Sequence, residues 1–166
     1  MSDKPLVAMV DTNVWVDMYI PQRPRREEAL AFFASAERSD IELAFTLEIA
    51  RAVFRIVSHE AKAWARSEKG ELSESFAHAI AAHAWDFIDN MQLHATPVGS
   101  SPADMWLASK LRDTHTEIED DLIIAACMRT KADYLITNDK KLIRHAPVKA
   151  VTPATMVKLL DAGVRG

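Results

Sequence analysis

Apolar residues along this chain come in short unbroken runs that alternate with longer stretches of helical spacing. Leu6-Val7-Ala8-Met9-Val10 is apolar on both faces, the pattern of a strand covered on both sides in a parallel sheet. Asp11-Thr12-Asn13 ends it with turn and cap chemistry. A loop from Pro21 to Arg26 leads to a helix through Glu27, Ala31, Phe32 and Ala36, and Ile41 to Phe45 reads as a second short strand. A helix then opens near Thr46 or Leu47, and helical spacing persists to about Met91 with breaks around Gly70 and Ser73. Leu93 to Val98 is a third strand, short or near an edge because Pro97 lacks an N–H. Pro102 stands at the first position of a helix through Trp106 and Leu111. Another helix runs from Asp120 or Asp121 to Thr130, followed by strands at Tyr134 to Thr137 and Val148 to Val151. Thr152 caps a last helix with Pro153 at its first position. This alternation predicts an α/β fold, a central and mainly parallel sheet flanked by helices, in a single domain over residues 1–166.

Composition narrows the class. With 49% apolar and 27% charged residues, a chain of 166 residues buries a sizeable core, which excludes a disordered acidic tail or a disulfide-stapled miniprotein. Cys127 is the only cysteine, so no intrachain disulfide forms, and a reducing, cytoplasmic setting is the simplest expectation. No apolar run approaches the roughly 20 residues that span a bilayer, so no membrane partner is expected. The run at Leu6 to Val10 stops at Asp11, too short for a secretory signal. The formal net charge of −4 means that any handling of nucleic acid must rest on local charge placement.

The acidic residues are placed where parallel sheets gather function, just beyond the carboxyl ends of strands. Asp11 follows the first strand, Glu48 lies in the first turn after the second, and Asp139 follows Tyr134-Leu135-Ile136-Thr137 by two residues. Asp120 and Asp121 open a helix whose body, Leu122 to Met128, is apolar almost all round, so this acidic start is held against the sheet. Taken singly, each acid is a turn former, an N-cap or a first-turn residue favoured by the helix dipole. Taken together, carboxylates sharing one rim repel by about 4 kcal/mol per pair at about 4 Å and an effective dielectric near 20. Unless one is protonated, such a cluster needs a cation, and oxygen-only ligands point to Mg²⁺ or Mn²⁺ rather than zinc.

Glu48, Arg51, Arg55 and His59 share one helical face, with Ile49, Ala50, Val53, Phe54, Ile56 and Val57 opposite. Arg51 and Arg55 stack above Glu48, either as ordinary helix salt bridges or as contacts to a substrate phosphate. Arg23, Arg25 and Arg26, or Lys140, Lys141 and Arg144, read as solvated loop charge able to add further contacts. Trp64, Phe76, Trp85 and Phe87 read as core. No Gly-rich phosphate loop, Gly-x-Ser-x-Gly or His-Glu-x-x-His occurs. His78 and His83 are about 140° apart around a helix, poor co-ligands for zinc.

With these residues in place, the chain resembles a PIN-domain nuclease of the VapC toxin type along nearly its whole length. Val10-Asp11-Thr12-Asn13-Val14 is similar to the family's opening strand with its Asp-Thr/Ser-Asn/Ser. Glu48-Ile49 resembles the acid that starts a helix, and Asp121-Leu122-Ile123-Ile124-Ala125-Ala126 the Asp-x-Leu-Ile-x-Ala form. Tyr134-Leu135-Ile136-Thr137-Asn138-Asp139 resembles the Leu-x-Thr-x-Asp ending. The resemblance implies a PIN-like fold and an acidic site of Asp11, Glu48, Asp121 and Asp139, with Thr137 and Thr12 or Asn13 in support. Counting back from Ala125-Ala126 favours Asp121, leaving Asp120 as a cap or supporting ligand. It further implies metal-dependent endoribonuclease activity on RNA, with Mg²⁺ or Mn²⁺, and a homodimer as an expected assembly. An antitoxin protein is the other expected partner, received by helices between Ser58 and Gln92.

Two other readings stay open. One is a non-catalytic module in which the fold persists and the acids serve structure or binding of RNA or protein, against which the retention of all four acids argues. An Asp just after strand one also serves as nucleophile in haloacid-dehalogenase-type phosphotransferases, but those want a second Asp two residues on, where this chain has Asn13.

Overall fold

The computed structural model of the chain describes residues 4–113 and 117–164. In chain order these form β1 (Leu6–Val10), α1 (Thr12–Tyr19), α2 (Arg26–Glu37), β2 (Ile41–Thr46), α3 (Leu47–Lys69), α4 (Glu74–His94) and β3 (Thr96–Val98). There follow α5 (Pro102–Leu111), α6 (Ile118–Thr130), β4 (Tyr134–Ile136), α7 (Lys140–His145), β5 (Ala150–Val151) and α8 (Pro153–Asp161).

The five described strands make one parallel sheet in the order β3-β2-β1-β4-β5. β1 is central, which is why its residues are apolar on both faces: Ala8, Met9 and Val10 are fully buried. It pairs Met9 with Ala44 on one side and with Leu135 on the other. The chain therefore winds outward in one direction from β1 to β3 and in the other through β4 and β5. The reversal lies at β1, and open sheets form their crevice at such a point, beyond the carboxyl end of the strand. Asp11 is the next residue.

The core around β1 is aromatic on one side. Trp15 of α1 is fully buried, its ring 4.6 Å from that of Phe33, and its indole N–H donates to the Val10 carbonyl at 3.2 Å. Burial of each such side chain stabilises the fold by about 2–3 kcal/mol. Cys127 is buried and free. Among the described residues no helix is long and apolar enough to cross a membrane.

The structure corrects several expectations. Thr12–Tyr19 forms helix α1 rather than only a turn. Thr12, Val14 and Val16 are poor helix formers, so only burial of Trp15 and the Asp11 cap reveal this helix. The third strand begins at Thr96, because Leu93 and His94 complete α4 and Leu93 is 82% exposed. Pro97 does lie on an edge strand, where its missing N–H costs no ladder bond. Lys140–His145 forms α7, and the last strand is only Ala150–Val151. α6 begins at Ile118 with Glu117 as N-cap, so Asp120 and Asp121 lie inside its first turn, not at its cap.

Trp64 and Trp85 are not core but 58% and 57% exposed. Helix α3 has 23 residues, about 34 Å at 1.5 Å per residue, against strands of at most six residues spanning about 20 Å. Its far end runs past the sheet, and Trp64 finds no core beneath it. Phe76 and Phe87 are half-buried, Phe87 stacking on Tyr19 with ring centres 4.4 Å apart.

Candidate functional site

Three of the sequence-predicted acids, Asp11, Glu48 and Asp139, follow parallel strands directly and so share the carboxyl edge of the sheet. Asp11 is the N-cap of α1 and only 6% exposed. Its Oδ1 accepts from the Thr12 N–H at 2.7 Å, and its Oδ2 accepts from the Asn13 amide and the Thr137 hydroxyl, each at 2.7 Å. Burial raises its pKa above the ordinary value. The Thr137 and Thr12 hydrogen bonds pull against that rise, and the charge of Asp139 adds to it.

Thr137 joins the two acids. Its hydroxyl donates to Asp11 and accepts from the Asp139 N–H at 3.0 Å and from the Asn13 amide at 3.2 Å. The Asp139 carboxylate caps α7 through the Lys141 and Leu142 N–H groups. Asn13 and Thr137, expected in support, are thus in direct contact with Asp11. Asn13 donates to Asp11 from the position where a haloacid-dehalogenase-type enzyme keeps its general acid, and an amide has no proton to give a leaving group.

The network continues through a residue that sequence reasoning did not single out. The Asn138 N–H donates to Asn13 at 3.0 Å, its amide donates to buried Asp17 at 3.0 Å, and its carbonyl accepts from Arg25 at 2.7 Å. Arg23 closes on Asp17 at 2.9 Å. Arg23 is therefore tied to Asp17 and Arg25 to Asn138, rather than loosely solvated. Burial also pushes the Cys127 thiol up to about 12, helped by the charge of Asp11.

Glu48 stands apart from this network. It opens α3, whose N-cap Thr46 accepts from the Ile49 N–H at 3.2 Å, and its carboxylate accepts from the Ser100 hydroxyl. Partial burial raises its pKa, but Ser100, its own N–H and Thr46 outweigh that, leaving it below the ordinary value. Glu48, Arg51 and Arg55 line one cleft of about 880 Å³ together with Trp85, Ile118 and Leu122. Ala50 and Phe54, expected on the opposite arc of the helix, line the same cleft.

Asp121 is buried in the first turn of α6 and lines a second, smaller cavity of about 320 Å³ with Met105, Ala108 and Arg112 of α5 or its end. Asp120 is half-buried in the same turn.

The donor chemistry of the Asp11 side, two repelling carboxylates and a hydroxyl, fits a hard divalent cation. Among the described residues, no three His, Cys, Asp or Glu side chains stand within reach of one common ion. The structure thus brings Asp11 and Asp139 together and leaves Glu48 and Asp121 outside that pair.

Parallel topology, a switch point at β1 and a buried acid just beyond it define an α/β protein with an acidic site at the carboxyl edge of its sheet. The PIN domain family matches residues 7–141, and the chain belongs to that family. Among solved structures, VapBC2 from Rickettsia felis, bound to a DNA fragment from its promoter, is similar with 15% identity and a TM-score of 0.56. That match covers 89% of this chain and 98% of the other. A toxin-antitoxin complex from Klebsiella pneumoniae is similar with 20% identity and a TM-score of 0.57, covering 88% of this chain and 97% of the other. These likenesses show the fold. No curated protein matches the sequence.

Proposed function

We infer that the chain is a single-domain, Mg²⁺- or Mn²⁺-dependent endoribonuclease, the toxin of a toxin-antitoxin pair acting in the cytoplasm. The observation that carries this reading is Asp11, a buried carboxylate at the switch point with a second acid pressing on it and, among the described residues, only neutral hydrogen-bond donors on it. Asp11 and Asp139 would hold the metal, and Glu48 and Asp121, which stand apart from that pair, would have to close on it to complete the ligand set. When bound, the ion would lower the pKa of a water and screen charge on the phosphodiester. Thr137 and Asn13 hold the Asp11 carboxylate in one orientation. Arg51 and Arg55, exposed beside Glu48, bind flanking phosphates of the RNA.

The apolar cleft beside Glu48 is the proposed seat of an antitoxin segment, in keeping with the toxin-antitoxin complexes among its structural relatives. A homodimer is the second assembly proposed.

The test is cleavage of labelled structured and single-stranded RNAs in Mg²⁺, Mn²⁺ and EDTA, with wild type and Asp121→Asn purified side by side. Metal-dependent cutting by wild type alone supports the reading, and equal cutting by both variants rejects the site. That no three-acid cluster forms among the described residues favours one other reading, a PIN fold that binds without cutting. Failure of the partner-free wild type to take up Mn²⁺ in calorimetry would select it.

A further inference from the structure

The connection from β3 to α5, residues 99–101, is held at both ends by one ion pair. Arg129 of α6 grips Asp104 of α5 through two bonds, its Nε at 2.7 Å from Oδ1 and an Nη2 at 3.0 Å from Oδ2. The same Nη2 donates to the Gly99 carbonyl at 2.6 Å. On the other side, the Ser101 N–H donates to Asp104 Oδ2 at 2.9 Å, and the Ser101 hydroxyl accepts from the Ala103 N–H at 3.3 Å, a capping box. Asp104 is buried, and its pKa lies below the ordinary value, first because of the Arg129 hydrogen bonds. The residue between these two anchors is Ser100, and its hydroxyl donates to Glu48.

We propose that Ser100 is a positioning residue that orients the Glu48 carboxylate, and that the Arg129–Asp104 pair sets its place by fixing the backbone on either side. This rests on the reading of Glu48 as a metal ligand. Three polar contacts fix the residues on either side of Ser100, two from the α5 capping box at Ser101 and one from Arg129 at the Gly99 carbonyl, and the hydroxyl between them is the one that donates to Glu48. A carboxylate on the first turn of a helix otherwise has several rotamers open to it. A hydroxyl donor fixed from outside removes most of them and leaves the remaining lone pairs in place for a cation.

The experiment measures Mn²⁺ affinity by calorimetry, together with RNA-cleavage kcat and KM, for wild type, Ser100→Ala, Ser100→Thr and Arg129→Lys. Ser100 is exposed, so both substitutions there leave the unfolding midpoint unchanged. Ser100→Ala is expected to weaken Mn²⁺ binding about 10-fold and to lower kcat with KM unchanged, while Ser100→Thr stays within about 2-fold of wild type. Arg129→Lys keeps a cation at Asp104 but loses the forked reach to Gly99, and is expected to weaken Mn²⁺ about 3-fold. Wild-type Mn²⁺ affinity in Ser100→Ala, or equal loss in Ser100→Thr, overturns the proposal. If wild type cuts no RNA while the Mn²⁺ pattern holds, the nuclease reading falls and the positioning role stands. If wild type cuts RNA and Ser100→Ala is unchanged in both measurements, only the positioning role falls. A wild type that takes up no Mn²⁺ overturns both.

Discussion

The two flanks of the sheet's carboxyl edge treat their acids in opposite ways. On the Glu48 side Arg129 forks onto Asp104 and neutralises it, the Ser100 hydroxyl donates to Glu48, and both carboxyls sit below their ordinary pKa values. On the Asp11 side the donors to Asp11 among the described residues are neutral, the Thr12 N–H, the Asn13 amide and the Thr137 hydroxyl, and Asp139 stands nearby. Burial then raises Asp11. An acid paired with an internal cation, as Asp104 is with Arg129, is a structural part, whereas an acid oriented by neutral donors and left in a like-charged field, as Asp11 is, is poised for a cation from solution. Both flanks use the same residue types, so the difference lies in what the tertiary fold places beside them.

The sharpest way to break this contrast is to remove the charge at Asp11. Asp11→Asn keeps the size of the side chain and is expected to lower RNA cleavage by at least about 100-fold, since even outer contacts of a metal site cost 10–100-fold when lost. Circular dichroism should show the fold retained. Wild-type cleavage by a folded Asp11→Asn chain would place the chemistry elsewhere.

The mirror experiment breaks the compensated flank. Asp104→Ala leaves the Arg129 guanidinium without its partner, and because that side chain is 29% exposed, water offsets part of the loss. The expected cost is about 2 kcal/mol of unfolding free energy, read from urea titration. A loss below a few tenths of a kcal/mol would mean that the pair anchors nothing.

The finest resolution comes from pH. Asp11 has a raised folded pKa, so the stability it contributes is full below its ordinary value of 3.8 and is lost as pH rises through the raised one. Glu48 and Asp104 have lowered folded values, so their contribution is present above 4.5 and 3.8 respectively and is lost as pH falls through the lowered ones. Urea unfolding in EDTA from pH 3 to 8 should therefore weaken at the acid end through Glu48 and Asp104, and toward neutral pH through Asp11. Mg²⁺ at about tenfold its Kd is expected to restore about 1.4 kcal/mol at pH 7.5 in wild type and little in Asp11→Asn. An equal gain in both would move the cation away from Asp11.

Much of this arrangement is legible in the chain itself. The run Leu6 to Val10 announces the central strand, and Asp11, Glu48 and Asp139 announce themselves by following strands. The face shared by Glu48, Arg51 and Arg55 follows from helical periodicity alone, and the structure puts all three in one cleft. Helix α1 was hidden because its β-branched residues speak against a helix, and what overrides them is the burial of Trp15 against Phe33. Ser101-Pro102-Ala103-Asp104 carries a visible capping signature, yet nothing local marks Arg129, 25 residues beyond Asp104, as its partner.

Sequence by itself determined the type and order of most elements, the positions of the acids relative to strand ends and the absence of an intrachain disulfide, because these depend on periodicity, capping and composition within short windows. Only the tertiary structure decided which acids meet. Asp11 reaches Thr137 across 126 positions and Glu48 reaches Ser100 across 52, contacts created by the order in which strands assemble around β1. It also decided that Trp64 faces outward, since a helix longer than the sheet it covers leaves part of its length without a core beneath it, and that Trp85 of α4 packs on Phe54 at the cleft beside Glu48.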